Sequence, residues 1–321
     1  MPAKTKFEIK LGAATREAFG RTLVELGREN KDVVVVDADL SKSTMTTYFA
    51  KEFPDRFFSC GIAESNMVGV GAGLAMAGKI PFVASFSVFV INKAFEQMRI
   101  GAAYGRSNLK VVGTHSGISI GEDGPSQMSV EEISLACSLA GFTVIAPADE
   151  NSTKALVRAA AAYDGPVFIR TGRPKAPVIY GADQKFEIGK AIQVAEGKDI
   201  TIIANGLLVA QAMLAADLLD AAGVSARVID IHTVKPIDRD AIARAAAETG
   251  AIVVAEEQLV DCGLGVRVSQ VVAETNPCVM EFVGIHDRYA ESGHPDEMLE
   301  KYGLVARDIF AAAQKALARK R

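Results

Sequence analysis

The stretch FFSCGIAESNMVGVGAGLAMAG, from Phe57 to Gly78, runs for 22 residues between Arg56 and Lys79 with a single charged side chain, Glu64. Five of its residues are glycine, and most of the others are small or apolar. About 20 apolar residues would cross a bilayer as a helix, but this run is poor in Leu and Ile and carries Ser59, Ser65 and Asn66 beside Glu64. A buried, closely packed helix of a globular protein is the better reading. It leaves a carboxyl group where charge is costly, so Glu64 needs a chemical reason to be there.

The sequence on either side alternates. GAATREAFGRTLVELGREN reads as a helix, and DVVVVDAD is an apolar run of the kind parallel strands show. IPFVASF is a strand and VINKAFEQMRIGAAYG a helix; NLKVVGTH, FTVIAPAD and GPVFIRTG are further strands. Helices are expected near Val130–Ala140 and Glu150–Tyr163. RPKAPVIYGADQKFEIGK (Arg173–Lys190) breaks the rhythm with two prolines. DITIIAN, ARVIDI, AIVVAEE and CVMEFVGI then give a second set of strands, with helices between them and at the end. The expected class is α/β, with two doubly wound, mostly parallel-sheet domains. The expected division is 1–175, a linker over 176–190, and 191–321.

A chain of 321 residues suffices for two such domains, each with a core. The net charge of −4 and the lack of a basic patch argue against nucleic acid as a partner. MPAKTKFEIK lacks the apolar segment of a signal peptide, so a cytoplasmic protein with no membrane contact is expected. Cys60, Cys137, Cys262 and Cys278 are widely spaced, and the four histidines show no metal-ligand spacing, so disulfides and a metal centre within this chain are not expected.

Ligands of open α/β sheets gather at the carboxyl ends of strands. Ser43 follows VVVVDAD, Phe86 ends IPFVASF, His115 ends NLKVVGTH, and Arg173 follows GPVFIRTG, while Arg16 lies in the first helix within reach of that rim. Each has a plainer explanation. Ser43 suits a helix cap, Asp123 in GEDGP suits a surface turn, and a lone histidine or arginine there is commonly structural. Together, two arginines with a histidine and a serine suit a small phosphate monoester. GVGAG (Gly69–Gly73) lacks the ending of a phosphate loop, and close helix packing explains it better.

ATREAFG, DADLSKST, GIAESNM, SIGEDGPSQM and IRTGRP, in this order and near this spacing, resemble the transketolase family of thiamine-diphosphate enzymes. The resemblance covers the pyrimidine-binding and C-terminal domains; the family's GDG…N metal motif is absent from this sequence. It implies a role for Glu64, that of the glutamate that holds N1′ of the cofactor's aminopyrimidine and shares its proton. It also implies that Phe86 and Phe89 pack on that ring, Phe89 the more directly. Arg16, Ser43, His115 and Arg173 match the family's phosphate ligands, and Asp123 matches the residue that hydrogen-bonds a substrate hydroxyl. Gln127 departs from the GPTHQ of many members and resembles the animal-type branch. Glutamine exchanges no proton, so a hydrogen-bonding role is implied.

The leading expectation is therefore one subunit of a split transketolase that moves a two-carbon ketol unit between sugar phosphates, as in the pentose phosphate pathway. The resemblance implies that thiamine diphosphate and a divalent metal, Mg2+, are held mainly by a partner that carries GDG…N, in an α2β2 assembly. A 2-oxo-acid dehydrogenase β-type subunit and part of a deoxyxylulose-phosphate synthase are the enzyme alternatives. An inactive regulatory subunit is the non-enzyme one. The full SIGEDGPSQM and the phosphate rim favour transketolase.

Overall fold

The computed structural model describes residues 6–320. The reading of MPAKTKFEIK as free of a signal segment falls partly on residues 1–5, outside them. The first half holds β1 (Leu11–Ala14), β2 (Val33–Asp37), β3 (Phe57–Ser59), β4 (Ile80–Phe86), β5 (Lys110–Thr114), β6 (Thr143–Ile145), β7 (Val167–Arg170) and β8 (Lys175–Pro177). The second half adds β9 (Ile192–Ala195), β10 (Ile200–Ala204), β11 (Ala226–Asp230), β12 (Thr233–Lys235), β13 (Ala251–Leu259) and β14 (Val279–Ile285).

Seven strands form one sheet in the order β12-β6-β7-β5-β4-β2-β3, and five form another in the order β14-β13-β10-β11-β9. Both are parallel except at one edge, where β12 and β9 run antiparallel to their neighbours. Helices cover both faces, which is why β2 (VVVVD) and β10 (ITIIA) read as continuous apolar runs and are buried at every position. The expected fold class is the observed one.

The two halves are less separate than the alternation suggests. Strand β12, from the second half, is the edge of the first half's sheet. One apolar cluster runs from Val36, Met67 and Val83 through to Ile203, Ile231 and Val268. The stretch from Arg173 is structured too: β8 pairs antiparallel with β1, and the backbone N–H groups of Ile179 and Tyr180 donate to Asp149 Oδ2. Backbone pairing to distant partners holds it, so it needs no side-chain period.

Five helical segments position the site: α1 (Thr15–Glu29), α2 (Ser41–Thr44), α3 (Thr47–Glu52), α4 (Glu64–Met76) and α5 (Ser87–Lys93). Helix α4 is buried on one face only. A Cβ on Gly71 would lie 2.4 Å from Val83 Cγ1, so that glycine does allow close packing on β4. Gly69 and Gly73 face open space instead, and Ile62, Val70 and Met76 are exposed along the same side. The helix expected over VINKAFEQMRIGAAYG breaks at Ala94 (φ −110°, ψ 17°), so that α5 ends at Lys93 and a π-type turn follows over Met98–Tyr104.

Candidate functional site

The carboxyl ends of β2, β4, β5 and β7 converge on one rim, and local hydrogen bonds set each side chain there. Asp37 ends β2. Its Oδ1 accepts from Leu40 N (2.6 Å) and its Oδ2 from the hydroxyls of Thr44 and Thr46 (2.8 Å each). Burial pushes the Asp37 carboxyl above its ordinary range, and these three donors oppose that. The knot fixes α2, which carries Ser43. At the end of β7, Gly172 N donates to Thr15 Oγ1 (2.7 Å), which stitches the Arg173 loop to the start of α1, where Arg16 stands.

Arg16 Nη1 donates to Ser43 O (2.7 Å) and to His115 Nε2 (3.1 Å), while its buried Nε has no partner. His115 holds left-handed backbone (φ +57°), uncommon for a residue other than glycine and typical of functional sites. Because Nε2 accepts, the ring proton lies on Nδ1, 2.9 Å from Thr114 Oγ1. Burial, then the charges of Arg16 and Arg173, hold the imidazole down to about 3, so it is neutral at physiological pH. His115 thus aims Arg16 and offers no spare N–H.

The His115 ring stacks on Phe86 (centroids 3.8 Å apart), and Phe86 lies parallel to Phe89 (5.6 Å, 6° between planes). Phe86 is only 7% exposed, so the partly buried Phe89 has more surface to offer a ligand. Next comes Glu64, the first residue of α4 and 3% exposed. Among the described residues it makes no hydrogen bond, and its one partner is the Lys93 ammonium, 3.5 Å from Oε2. The Lys93 ammonium also lies 5.1 Å from the Phe89 ring centroid, so Glu64, Lys93, Phe89, Phe86, His115, Arg16 and Ser43 form one chain of contacts. A buried carboxyl without a hydrogen bond, joined through Lys93 to two parallel phenyl rings, fits a flat heteroaromatic ring that carries a ring nitrogen.

Arg173 joins this line less directly. It pairs with Glu122 and donates to Ile120 O, and the bond to Arg173 holds the Glu122 carboxyl below its usual range. Asp123, exposed, is near enough for its charge to act on Arg16. Gln127 accepts from Ser126 Oγ. Arg170, at the end of the same strand as Arg173's loop, points away and is buried between Glu132 and Glu257. Lys93, Asp37 and Thr114 were not singled out from the sequence; Lys93 lies outside the quoted motifs, and only the fold brings it to Glu64. Among the described residues no cluster of His, Cys, Asp and Glu is arranged to hold a metal ion, and no helix is long and apolar enough to cross a membrane.

Comparison with known proteins bears on the same residues. Residues 12–178 match the family description "Transketolase, pyrimidine binding domain" and residues 189–309 "Transketolase, C-terminal domain". The chain is 42% identical over 298 residues to a putative transketolase C-terminal section of Methanocaldococcus jannaschii, covering 92% of this chain and 93% of that one. It is 39% identical over 315 residues to the 6-deoxy-6-sulfo-D-fructose transketolase subunit SqwH of a Clostridium strain, covering 98% of each. Against human transketolase it is 37% identical over 321 residues, 99% of this chain but 51% of the human one. Among solved structures, a split gene transketolase described as an inactive beta4 tetramer superposes with a TM-score of 0.91 at 48% identity, covering 97% of this chain and all of the other.

Proposed function

The chain belongs to the transketolase family, and from that premise we propose that it is the pyrimidine-side subunit of a thiamine-diphosphate-dependent transketolase, moving a two-carbon ketol unit between sugar phosphates. The carrying observation is the chain of contacts from Glu64 through Lys93, Phe89, Phe86 and His115 to Arg16, which joins a site for a nitrogen heterocycle to a site for an anion. When bound, thiamine diphosphate supplies the nucleophilic carbon that accepts the ketol unit.

The residues of this chain divide the remaining tasks. Glu64 holds N1′ of the aminopyrimidine and exchanges a proton with it, Phe89 supports the ring, and Phe86 backs Phe89. Arg16, with its free Nε, and Arg173 bind the sugar's phosphate, with Ser43 beside them and His115 holding Arg16 in aim. Asp123 takes a substrate hydroxyl and Gln127 adds a hydrogen bond. Residues 1–175 form the pyrimidine-binding domain, 176–190 the linker and 191–321 the C-terminal domain.

The diphosphate and Mg2+ fall to a GDG…N-bearing partner, and an α2β2 assembly in the cytoplasm follows. The open glycine face of α4, with Ile62, Val70 and Met76 exposed along it, supports close contact between two copies across a two-fold axis. The 2-oxo-acid dehydrogenase and deoxyxylulose-phosphate synthase readings are not favoured by relatives described as transketolase subunits. The test is ketol transfer by the purified chain with and without the partner. Activity is expected only with it, and Glu64→Gln should abolish that activity while leaving the fold intact. Robust transfer by this chain alone would overturn the split-subunit reading.

A further inference from the structure

Lys93 belongs to none of the motifs that carry the family assignment, yet it touches both halves of the proposed pyrimidine pocket. Its ammonium lies 3.5 Å from Glu64 Oε2 and 5.1 Å from the centroid of the Phe89 ring. Its backbone carbonyl accepts a 2.5 Å hydrogen bond from Ser65 Oγ, the residue after Glu64. The C-terminal end of α5 is thereby tied to the N-terminal end of α4 at both backbone and side chain. Asn92, the preceding residue, turns to Glu131 instead.

The two ends differ in solvation. The Glu64 side chain is 3% exposed and that of Lys93 54%. A carboxyl that makes no hydrogen bond has two equivalent oxygens and is free to turn about its last torsion, which has only broad preferences. An ammonium on one oxygen removes that freedom and leaves the other for a ligand. The same ammonium lies over Phe89, so carboxyl and ring are held relative to each other by one flexible stem that reaches in from solvent.

We propose that Lys93 is a positioning residue of the cofactor site: it fixes Glu64 by Oε2, presents Oε1 to the ring nitrogen of the bound pyrimidine, and steadies Phe89 beneath that ring. This inference rests on the reading of Glu64 and Phe89 as the pyrimidine pocket. No step of the reaction passes through Lys93 itself.

The experiment measures thiamine diphosphate binding by calorimetry, at fixed Mg2+, on the complex of this chain with its GDG-bearing partner. Wild type, K93M, K93R, E64Q and the E64Q/K93M pair are compared, with ketol transfer assayed in parallel. K93M is expected to weaken cofactor binding roughly five- to tenfold, the range for a half-exposed charge pair acting on a buried group. K93R should recover most of that loss, because a guanidinium can still reach the carboxylate. In the E64Q background, adding K93M should change affinity less than about twofold, since the partner it positions is gone. Wild-type affinity in K93M, an equal loss in both backgrounds, or K93R as impaired as K93M would each overturn the proposal. Failure of the parent reading looks different: the wild-type complex would not bind the cofactor, or E64Q would transfer normally.

Discussion

Replacing Arg16 with Met tests the anion half of the site, because the guanidinium there is only partly used. Nη1 is committed to Ser43 O and His115 Nε2, while Nε is buried without a partner. A phosphate that completes this guanidinium makes a charge-assisted hydrogen bond of about 1.5–3 kcal/mol. At 1.4 kcal/mol per decade, Arg16→Met should lower kcat/KM for phosphorylated sugars roughly 10- to 150-fold. Unphosphorylated analogues make no such bond and should lose less than about threefold. Ser43 O and His115 Nε2 each lose a donor, so stability should fall by about 1–2 kcal/mol. Burial, the first cause of the low His115 value, survives the substitution, as does Arg173, so the imidazole should stay neutral and no histidine limb should enter the pH–rate profile. The assay is steady-state ketol transfer with the partner subunit present, run on each substrate with and without its phosphate. An equal loss on both would mean that Arg16 supports the fold and holds no anion.

Three further outcomes follow from the same structure. Gly124 (φ +80°, ψ −175°) occupies backbone that only glycine enters readily, and a Cβ there would meet Ser292 Oγ at 2.4 Å; Gly124→Ala should cost about 1–3 kcal/mol and disturb the Asp123 turn, which urea unfolding and substrate KM would register together. Arg170, 5% exposed, holds Glu132 at 2.7 Å and Glu257 at 3.0 Å; Arg170→Met leaves both carboxylates buried without a counter-charge and should cost about 3–5 kcal/mol, which urea unfolding would measure. Burial pushes the Asp230 carboxyl from 3.8 up to about 7, with only Tyr180 Oη, 2.6 Å away, opposing this. The folded chain thus holds that proton more tightly, so its stabilising effect is complete below 3.8 and is lost as pH climbs through 7. Asp230→Asn should flatten the fall in urea midpoint between those limits, and an unchanged slope would assign the dependence to other groups.

Much of this architecture was legible because covered parallel strands write themselves as apolar runs. VVVVD, ITIIA and the fully buried VFIR need no partner in view to be recognised. What stayed hidden depends on partners far along the chain. Strand β12 is three residues long and joins β6 with an irregular register, so it has no period to detect. Strand β8 exists through its pairing with β1, some 160 residues earlier. The break at Ala94 interrupts a segment whose composition is helical throughout, and nothing in the local sequence explains why the turn after it is of π type.

The site divides along the same line. Residues at strand ends were found because strand ends can be located, and Glu64 because one charge in an apolar run is conspicuous. Their mutual arrangement was not readable, and it changes the chemistry in two places. His115 was read as one of the phosphate ligands; the structure gives it the acceptor's part toward Arg16, and burial together with the charges of Arg16 and Arg173 keeps it neutral. Glu64 was read as the one charge of its stretch; an ammonium from α5, outside that stretch, faces it. In both cases the missing information is a contact between side chains on different elements, which spacing along the chain does not encode. Asp37 shows the intermediate case. DADLSKSTMT displays a carboxylate a few residues before two threonines, a pattern that suits a local knot, but only the burial of all three shows that the knot sets where Ser43 stands.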